Sequence, residues 1–287
     1  MGDSIPIMAI LQQASVEDRK RLLELFPSTN LRKTWPKLTG TKEEICYSLA
    51  AGSNIADVSK FIDENLGCCK QHIYIFSHGS DYAALPAGII EGEQVLNAAG
   101  ARALYVVRSK YIVVLRDPLE ETTLEFLWPI RMELRPNYLV VRFVVLEKNP
   151  ASYFDRPSYI GSKTVDEKSV VADVLKSGSL VPADLHKGIK KLWTDGFMDS
   201  SRAKYKTPIS TAQETMDEER GIKEYNPDLY LILQQSPLFT TLFQIPEDKG
   251  TVSSFSADPS NGLIGFSRYS EKVGDTDYVI EQILANN

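Results

Sequence analysis

The longest apolar run in the chain is Tyr138 to Glu147, YLVVRFVVLE, which is too short to cross a membrane as a helix. Its valines and aromatic residues fit the pleated surface of a β-strand. Leu139, Val141 and Phe143 alternate onto one face, and the residues between them are mostly apolar as well. A strand that is apolar on both faces must be covered on both, so we predict a central strand of a sheet.

Arg142 is the one charge inside this run. A charged group in the middle of a buried strand must be paired or must reach an edge, because an isolated buried charge is very costly. We therefore predict an ion pair across the sheet, with Glu125 or Glu133 as the carboxylate.

The first 70 residues have helical periodicity. Ile55, Val58, Ile62 and Leu66 recur at i, i+3, i+7 and i+11, and Gly67 is a natural C′ stop. We predict a small helical N-terminal domain over residues 1–66.

From residue 71 the period changes to two, which predicts a second domain over 71–287 with a polar connection at 151–163 where it could subdivide. The predicted strands are 72–77, 103–107, 111–116, 122–128, 138–147, 229–233, 238–245, 252–255 and 263–269, with a hairpin turn at Ser109-Lys110. The predicted helices lie within 83–99, after Thr164, after Pro182, over 210–220 and over 278–284. Such blocks predict an α+β fold, a mixed or antiparallel sheet with packed helices after the helical domain.

Composition then narrows the class of protein. The 287 residues are 43% hydrophobic and 24% charged, as in ordinary globular proteins, and the net charge of −6 argues against a nucleic-acid-binding surface over the whole molecule. Three cysteines form no paired framework, and no apolar leader or membrane span is visible. We expect an intracellular, cytoplasmic protein that does not insert into a membrane.

A basic stretch covers residues 19–42. It holds seven basic residues and one acidic residue, a net charge of +6 in an acidic chain. A positive face of this kind can bind a phosphate backbone, and we take Arg19, Arg32, Lys33, Lys37 and Lys42 as candidate nucleic-acid contacts. The alternative is a solvated helical face around a small core.

Part of this stretch resembles the SAP motif, a helix–loop–helix element that binds DNA. Within residues 29–50, Leu31 and Leu38 precede Gly40 and Lys42, and Ile45 follows on the second helix. The resemblance covers less than a tenth of the chain, and it implies DNA binding by the N-terminal domain only.

A second basic segment runs from His186 to Lys206 and contains six lysines and arginines against two aspartates. Trp193, Phe197 and Tyr205 interleave with the charges, as a surface that stacks nucleic-acid bases would require. The alternative is that these aromatic residues belong to the core. The candidate contacts are Lys187, Lys190 and Lys191, continued by Arg202, Lys204 and Lys206.

A third pattern lies in the C-terminal half. Asp228 follows a proline, and Glu247 and Lys249 have acid-x-lysine spacing. This resembles the signature of the restriction-endonuclease-like core, which implies a strand carrying Glu247, Mg²⁺ held by the two carboxylates and a lysine beside the attacked phosphate. The alternative is a turn, because a proline and a glycine flank the acid-x-lysine segment.

Cofactor and metal signals are weak. Cys68, Cys69 and His72 are zinc-type ligands, but a fourth ligand would have to come from Cys46 or His78 at no standard spacing, so a buried cysteine pair is favoured. Neither a phosphate-binding loop nor a dinucleotide-binding glycine motif is present. We predict no cofactor and no metal.

The function that we favour from sequence is a non-enzymatic interaction module whose basic N-terminal face meets DNA, RNA or an acidic protein surface. Two alternatives stay open. One is a metal-dependent nuclease using Asp228, Glu247 and Lys249, and the other is a scaffold or assembly subunit that binds no nucleic acid.

Overall fold

The computed structural model describes residues 63, 70–79, 84–85, 93–98, 102–116, 119–145, 157–163, 167–177, 179–216, 220–249, 252–268 and 274–287. The chain divides into two compact units. Unit 1 comprises Met1–Cys69, Ala84–Glu133 and Phe143–Gly178, and unit 2 comprises Lys70–Ala83, Leu134–Arg142 and Ser179–Asn287.

The strands are numbered along the chain. They are β1 Gln71–Ser77, β2 Glu93–Ala98, β3 Arg102–Arg116, β4 Leu119–Leu134, β5 Tyr138–Val144, β6 Pro157–Lys163, β7 Val181–Pro182, β8 Asp199–Lys206, β9 Thr211–Thr215, β10 Thr241–Gln244, β11 Ser254–Asp258 and β12 Leu263–Phe266. The helices are α1 Glu167–Lys176, α2 His186–Thr194, α3 Ile222–Tyr225, α4 Pro227–Gln235 and α5 Asp275–Ala285.

These elements correct the predicted fold class. The described residues form a mostly antiparallel sheet with few helices, so the α+β prediction is wrong. The predicted helical domain over 1–66 lies outside the described residues except for Asp63, and no helical domain is shown. Within the described ranges, no helix is long and apolar enough to cross a membrane.

Unit 1 is organised around a long hairpin. β3 and β4 pair without interruption from Arg102 opposite Glu133 to Arg116 opposite Leu119. The predicted turn at Ser109-Lys110 is therefore wrong, because continuous pairing with β4 keeps both halves of β3 in one strand. β2 and β6 pair with different parts of β3, and β2 replaces part of the helix predicted within 83–99.

One buried carboxylate joins the two strands of this hairpin. Asp63 accepts a hydrogen bond from Arg102 at 2.6 Å and lies 3.3 Å from Arg131 Nε, which is also 3.2 Å from Glu133. Because Glu133 is paired in this way on β4, it belongs to the surroundings of Arg131.

Unit 2 contains a sheet in the order β5-β1-β12-β11-β10-β8-β9, with β7 paired to the end of β1. Every pairing from β1 onward in this order is antiparallel. Buried residues of these strands supply a core that includes Ile73, Val140 and Phe243. α2 and α5 contribute Ile189 and Ile283 to the same core.

The predictions for β5 are confirmed in part. All residues from Leu139 to Val144 are buried, which confirms a strand covered on both faces. Arg142 is fully buried and paired, but its Nη2 donates to Asp277 Oδ1 on α5. This carboxylate comes from a helix packed on the sheet and is not one of the two expected, Glu133 and Glu125, of which the Glu125 side chain lies outside the described residues.

Two further elements of unit 2 differ from expectation. The predicted strand at 229–233 is helix α4, because the Asn226 side chain caps the Leu229 N–H and Pro227 occupies the first turn. The predicted helix at 210–220 is wrong where it is described, since Thr211–Thr215 form strand β9. The C-terminal helix is confirmed as α5.

α2 and α5 approach closely at Gly188. A Cβ at this position would clash with the Ile283 carbonyl oxygen and would lie 3.2 Å from Asn287. The Asn287 side chain accepts a hydrogen bond from the Gly188 N–H and donates one to the Asp184 carbonyl. The C-terminus of the chain is thereby bound to the start of α2.

Candidate nucleic-acid interface

The β8–β9 hairpin displays three cations on one exposed surface. Along β8, Arg202, Lys204 and Lys206 are exposed while Ala203 and Tyr205 between them are buried. This follows from the period of two in a strand, since alternate side chains point to opposite faces. We call Arg202, Lys204 and Lys206 the basic face.

The neighbouring strand adds no charge to this face. Thr215, Gln213 and Thr211 of β9 lie directly opposite the three cations, and residues directly opposite each other in an antiparallel pair project to the same side. Within the described part of the chain, no carboxylate forms an ion pair with any member of the basic face. The cations are about 6.8 Å apart along the strand.

The lysines of α2 divide into different roles. Lys187 is exposed. Lys190 donates to the carbonyl oxygens of Gln234 and Ser236 at 2.9 and 2.8 Å, so it satisfies acceptors at the C-terminal end of α4. Burial lowers the pKa of Lys190, and the nearby Asp184 carboxylate opposes that shift.

Lys191 is engaged within α2 and its C-cap. Its Nζ donates to Asp195 Oδ2 at 2.6 Å, an i,i+4 pair on an exposed face. Of the three α2 lysines predicted to bind nucleic acid, Lys190 and Lys191 therefore make contacts within the protein. Sequence spacing groups them with Lys187, and only the fold separates their contacts.

His186 holds the start of α2 to the segment before β10. Its Nδ1 lies 2.6 Å from Asp184 Oδ1, and its Nε2 accepts the Leu238 N–H at 2.8 Å. With both ring nitrogens engaged in this way, Nε2 is not available as a base for a substrate. The imidazole has a structural role.

The pKa of Asp184 reflects the same contact. Burial pushes this pKa upward, but the hydrogen bonds from the His186 backbone and ring, together with the charge of Lys190, outweigh it. The pKa of Asp184 is therefore lowered.

The aromatic residues of this segment mostly belong to the core. Trp193 is fully buried and packs edge-on against Tyr230 and Phe243 at 5.2 and 5.5 Å. Tyr205 is also buried. Phe197 packs against Tyr278 at 6.0 Å. These contacts favour the core alternative, and base stacking by Trp193 and Tyr205 has no support in the structure.

Asp199, the first residue of β8, anchors the strand that carries the basic face. Its Oδ1 accepts the Trp193 indole N–H at 2.8 Å, the Ser200 N–H at 2.7 Å and the Lys223 N–H at 3.2 Å. Gly221 lies so close that a Cβ there would clash with Asp199 Oδ2. One carboxylate thus joins β8, α2 and the start of α3.

The nuclease-like residues do not have the placement that their resemblance implies. Asp228 lies in the exposed first turn of α4. Glu247 is in an exposed turn after β10, and Lys249 donates to the Gly196 carbonyl at 2.8 Å. Among the described residues, no group of three or more histidines, cysteines, aspartates and glutamates could hold a metal ion. The nuclease hypothesis required Glu247 on a strand, so the structure gives it no support.

The N-terminal candidates lie outside the described residues, as do the SAP-like segment and the three cysteines. These candidates are Arg19, Arg32, Lys33, Lys37 and Lys42. His72 lies on β1, and His78 contacts the Gly79 and Arg135 carbonyl oxygens at 2.9 and 2.8 Å.

Comparison with known proteins does not place this chain in a family. No family model, no curated protein and no solved structure matches this chain.

Proposed function

We propose that the protein is a non-enzymatic interaction module that binds single-stranded nucleic acid through the basic face of β8. The observation that carries this proposal is the row of three exposed cations, Arg202, Lys204 and Lys206, with uncharged neighbours on β9. A row of cations along a strand suits an extended chain of phosphates, and such contacts attract the backbone without reading base sequence.

The fold supports a preformed surface. Ala203 and Tyr205 are anchored in the core on the other side of β8, and Asp199, the first residue of the strand, is hydrogen-bonded to Trp193 of α2. Binding would therefore cost little backbone ordering. The predicted N-terminal face remains a second candidate surface for the same ligand, and it can be tested independently.

The experiment measures fluorescence anisotropy of labelled oligo-dT and oligo-U over a range of salt concentrations. The variant R202E/K204E/K206E should weaken binding on the order of 10²-fold at low salt. The slope of log binding constant against log salt concentration should become less negative by about 2. The slope change follows from about 0.7 for each lost contact to a single strand.

A matched control is K168E/K176E/R268E, which changes the net charge equally at three positions on other parts of the chain. It should retain the wild-type salt slope. Equal weakening by both triple variants, or undiminished binding by the β8 variant, would refute the proposal. An R32E/K33E/K37E variant measures the contribution of the N-terminal stretch.

A further inference from the structure

The outer edge of β9 is an open strand edge among the described strands. β9 pairs with β8 alone and ends the sheet order of unit 2. Its sequence, Thr-Ala-Gln-Glu-Thr, contains no lysine and no proline, and its pairing with β8 has no register shift. Lysines, prolines and bulges are the usual protections against edge-to-edge pairing.

The hydrogen-bond pattern identifies the backbone groups at this edge. The Met216 N–H donates to the Ser201 carbonyl at 2.7 Å, so the backbone of Met216 faces β8. In an antiparallel pair, the backbone N–H and C=O groups of successive residues point alternately toward the partner strand and away from it. Ala212 and Glu214 therefore also face β8, and the N–H and C=O groups that face outward belong to Thr211, Gln213 and Thr215.

The opposite side of β8 agrees with this assignment. The Phe239 N–H donates to the Lys204 carbonyl at 2.7 Å, and the Lys206 N–H donates to the Pro237 carbonyl at 3.0 Å. Lys204 and Lys206 thus direct their backbone away from β9. Their cross-strand neighbours Gln213 and Thr211 consequently direct theirs away from β8.

We propose that this edge pairs with β9 of a second copy of the chain, antiparallel, around a two-fold axis at Gln213. The three outward-facing residues are then all used. Thr211 pairs with Thr215 of the second copy, Gln213 with its own equivalent, and Thr215 with Thr211, for about six backbone hydrogen bonds.

Charge favours a second copy in this register. Glu214 lies opposite Ala212 of the second copy and not opposite its own equivalent, so no like charges are paired directly. The two Lys204 residues are separated by three strand spacings, about 14 Å, which exceeds the screening length of about 8 Å at physiological salt. The paired segment is short, so the association is weak and concentration-dependent.

The pairing also extends the basic face. A two-fold axis through an antiparallel strand pair is perpendicular to the sheet, so both copies present Arg202, Lys204 and Lys206 on the same side. Two rows of cations would then flank a central uncharged strip of threonines and glutamines. This consequence rests on the proposed function, whereas the pairing itself does not.

The register is tested by two single-cysteine substitutions under mild oxidation, with peptide mapping by mass spectrometry. In Gln213→Cys the two substituted Cα atoms are about 5.5 Å apart, within disulfide range, so a peptide that links position 213 of both copies should form. In Thr211→Cys the equivalent atoms are about 14 Å apart, so the control should give no such peptide. Mapping separates these products from disulfides of the native cysteines.

The edge itself is tested by sedimentation velocity without nucleic acid. Gln213→Pro removes an outward N–H that β8 does not use, so it should abolish self-association, while Gln213→Ala should retain it. A wild-type protein that stays monomeric at high concentration would overturn the proposal, and so would equal cross-linking of both cysteine variants. The same results are expected if this edge binds a different protein. If Gln213→Pro does not fold, the cysteine pair decides.

Discussion

Asp199 offers the sharpest test of how the basic face is held. The substitution Asp199→Ala removes the acceptor of the Trp193 indole N–H and the Ser200 N–H, both of which belong to buried residues. A buried donor left without a partner costs about 1–3 kcal/mol. Two such donors give a range of about 2–6 kcal/mol. We expect a loss of about 3 kcal/mol in the free energy of unfolding, in the lower part of that range.

Two matched variants separate the hydrogen bonds from the charge. Asp199→Asn keeps an oxygen acceptor, so we expect a loss of about 1 kcal/mol, because a bond to a charged acceptor is roughly twice as strong as one to a neutral acceptor. Asp195→Ala removes an exposed pair with Lys191 and should cost less than about 1 kcal/mol.

The assay is urea unfolding followed by far-UV circular dichroism, combined with hydrogen exchange of the peptide that covers β8. Exchange localises the effect, which matters in a chain of two units. If Asp199→Ala lost no more stability than Asp195→Ala, or if β8 remained fully protected, the assignment of Asp199 as the anchor of this strand would be wrong.

Two further predictions concern α2 and the segment just before it. Gly188→Ala should lower the free energy of unfolding by about 2 kcal/mol, since crowding against a backbone carbonyl outweighs the ~1 kcal/mol gain in helix propensity. Gly79→Ala, where the added Cβ meets nothing within 4 Å, should be neutral in the same urea-unfolding measurement, and a neutral Gly188→Ala would contradict the close approach of α2 and α5. Because the pKa of Asp184 is lowered in the folded state, its contribution to stability is present above its unfolded pKa of about 3.9 and is lost as the pH falls through the folded value. Asp184→Asn should therefore make stability fall less steeply on the acid side of the stability–pH curve. The change should be a fraction of a kcal/mol, because the side chain is largely exposed. Glu281→Gln is the exposed control, and an Asp184→Asn curve that does not differ from the control curve would refute this prediction.

Periodicity alone determined the features that depend on neighbours along the chain. The continuous apolar run of β5 predicted burial on both faces, and the cost of an isolated buried charge predicted that Arg142 is paired. The alternation of Arg202, Lys204 and Lys206 with Ala203 and Tyr205 is likewise visible in the sequence, although it signals an exposed row only once the segment is known to be a strand.

The local cap at Asn226-Pro227 was also readable, and it could have identified α4. The apolar residues at 229–233 suggested a strand because short apolar runs do not distinguish strand from helix by periodicity. The predicted break within β3 has a related cause. The polar pair Ser109-Lys110 is typical of a turn, and the sequence does not show that β4 pairs across it.

Only the tertiary structure decided which charges are available. Lys187, Lys190 and Lys191 look alike in sequence, but Lys190 satisfies the end of α4 and Lys191 pairs with Asp195. The partner of Arg142 was likewise Asp277, 135 residues away, on a helix and not on a neighbouring strand. Hydrogen bonds and ion pairs form between groups that the fold brings within about 3 Å, and sequence separation does not encode that distance.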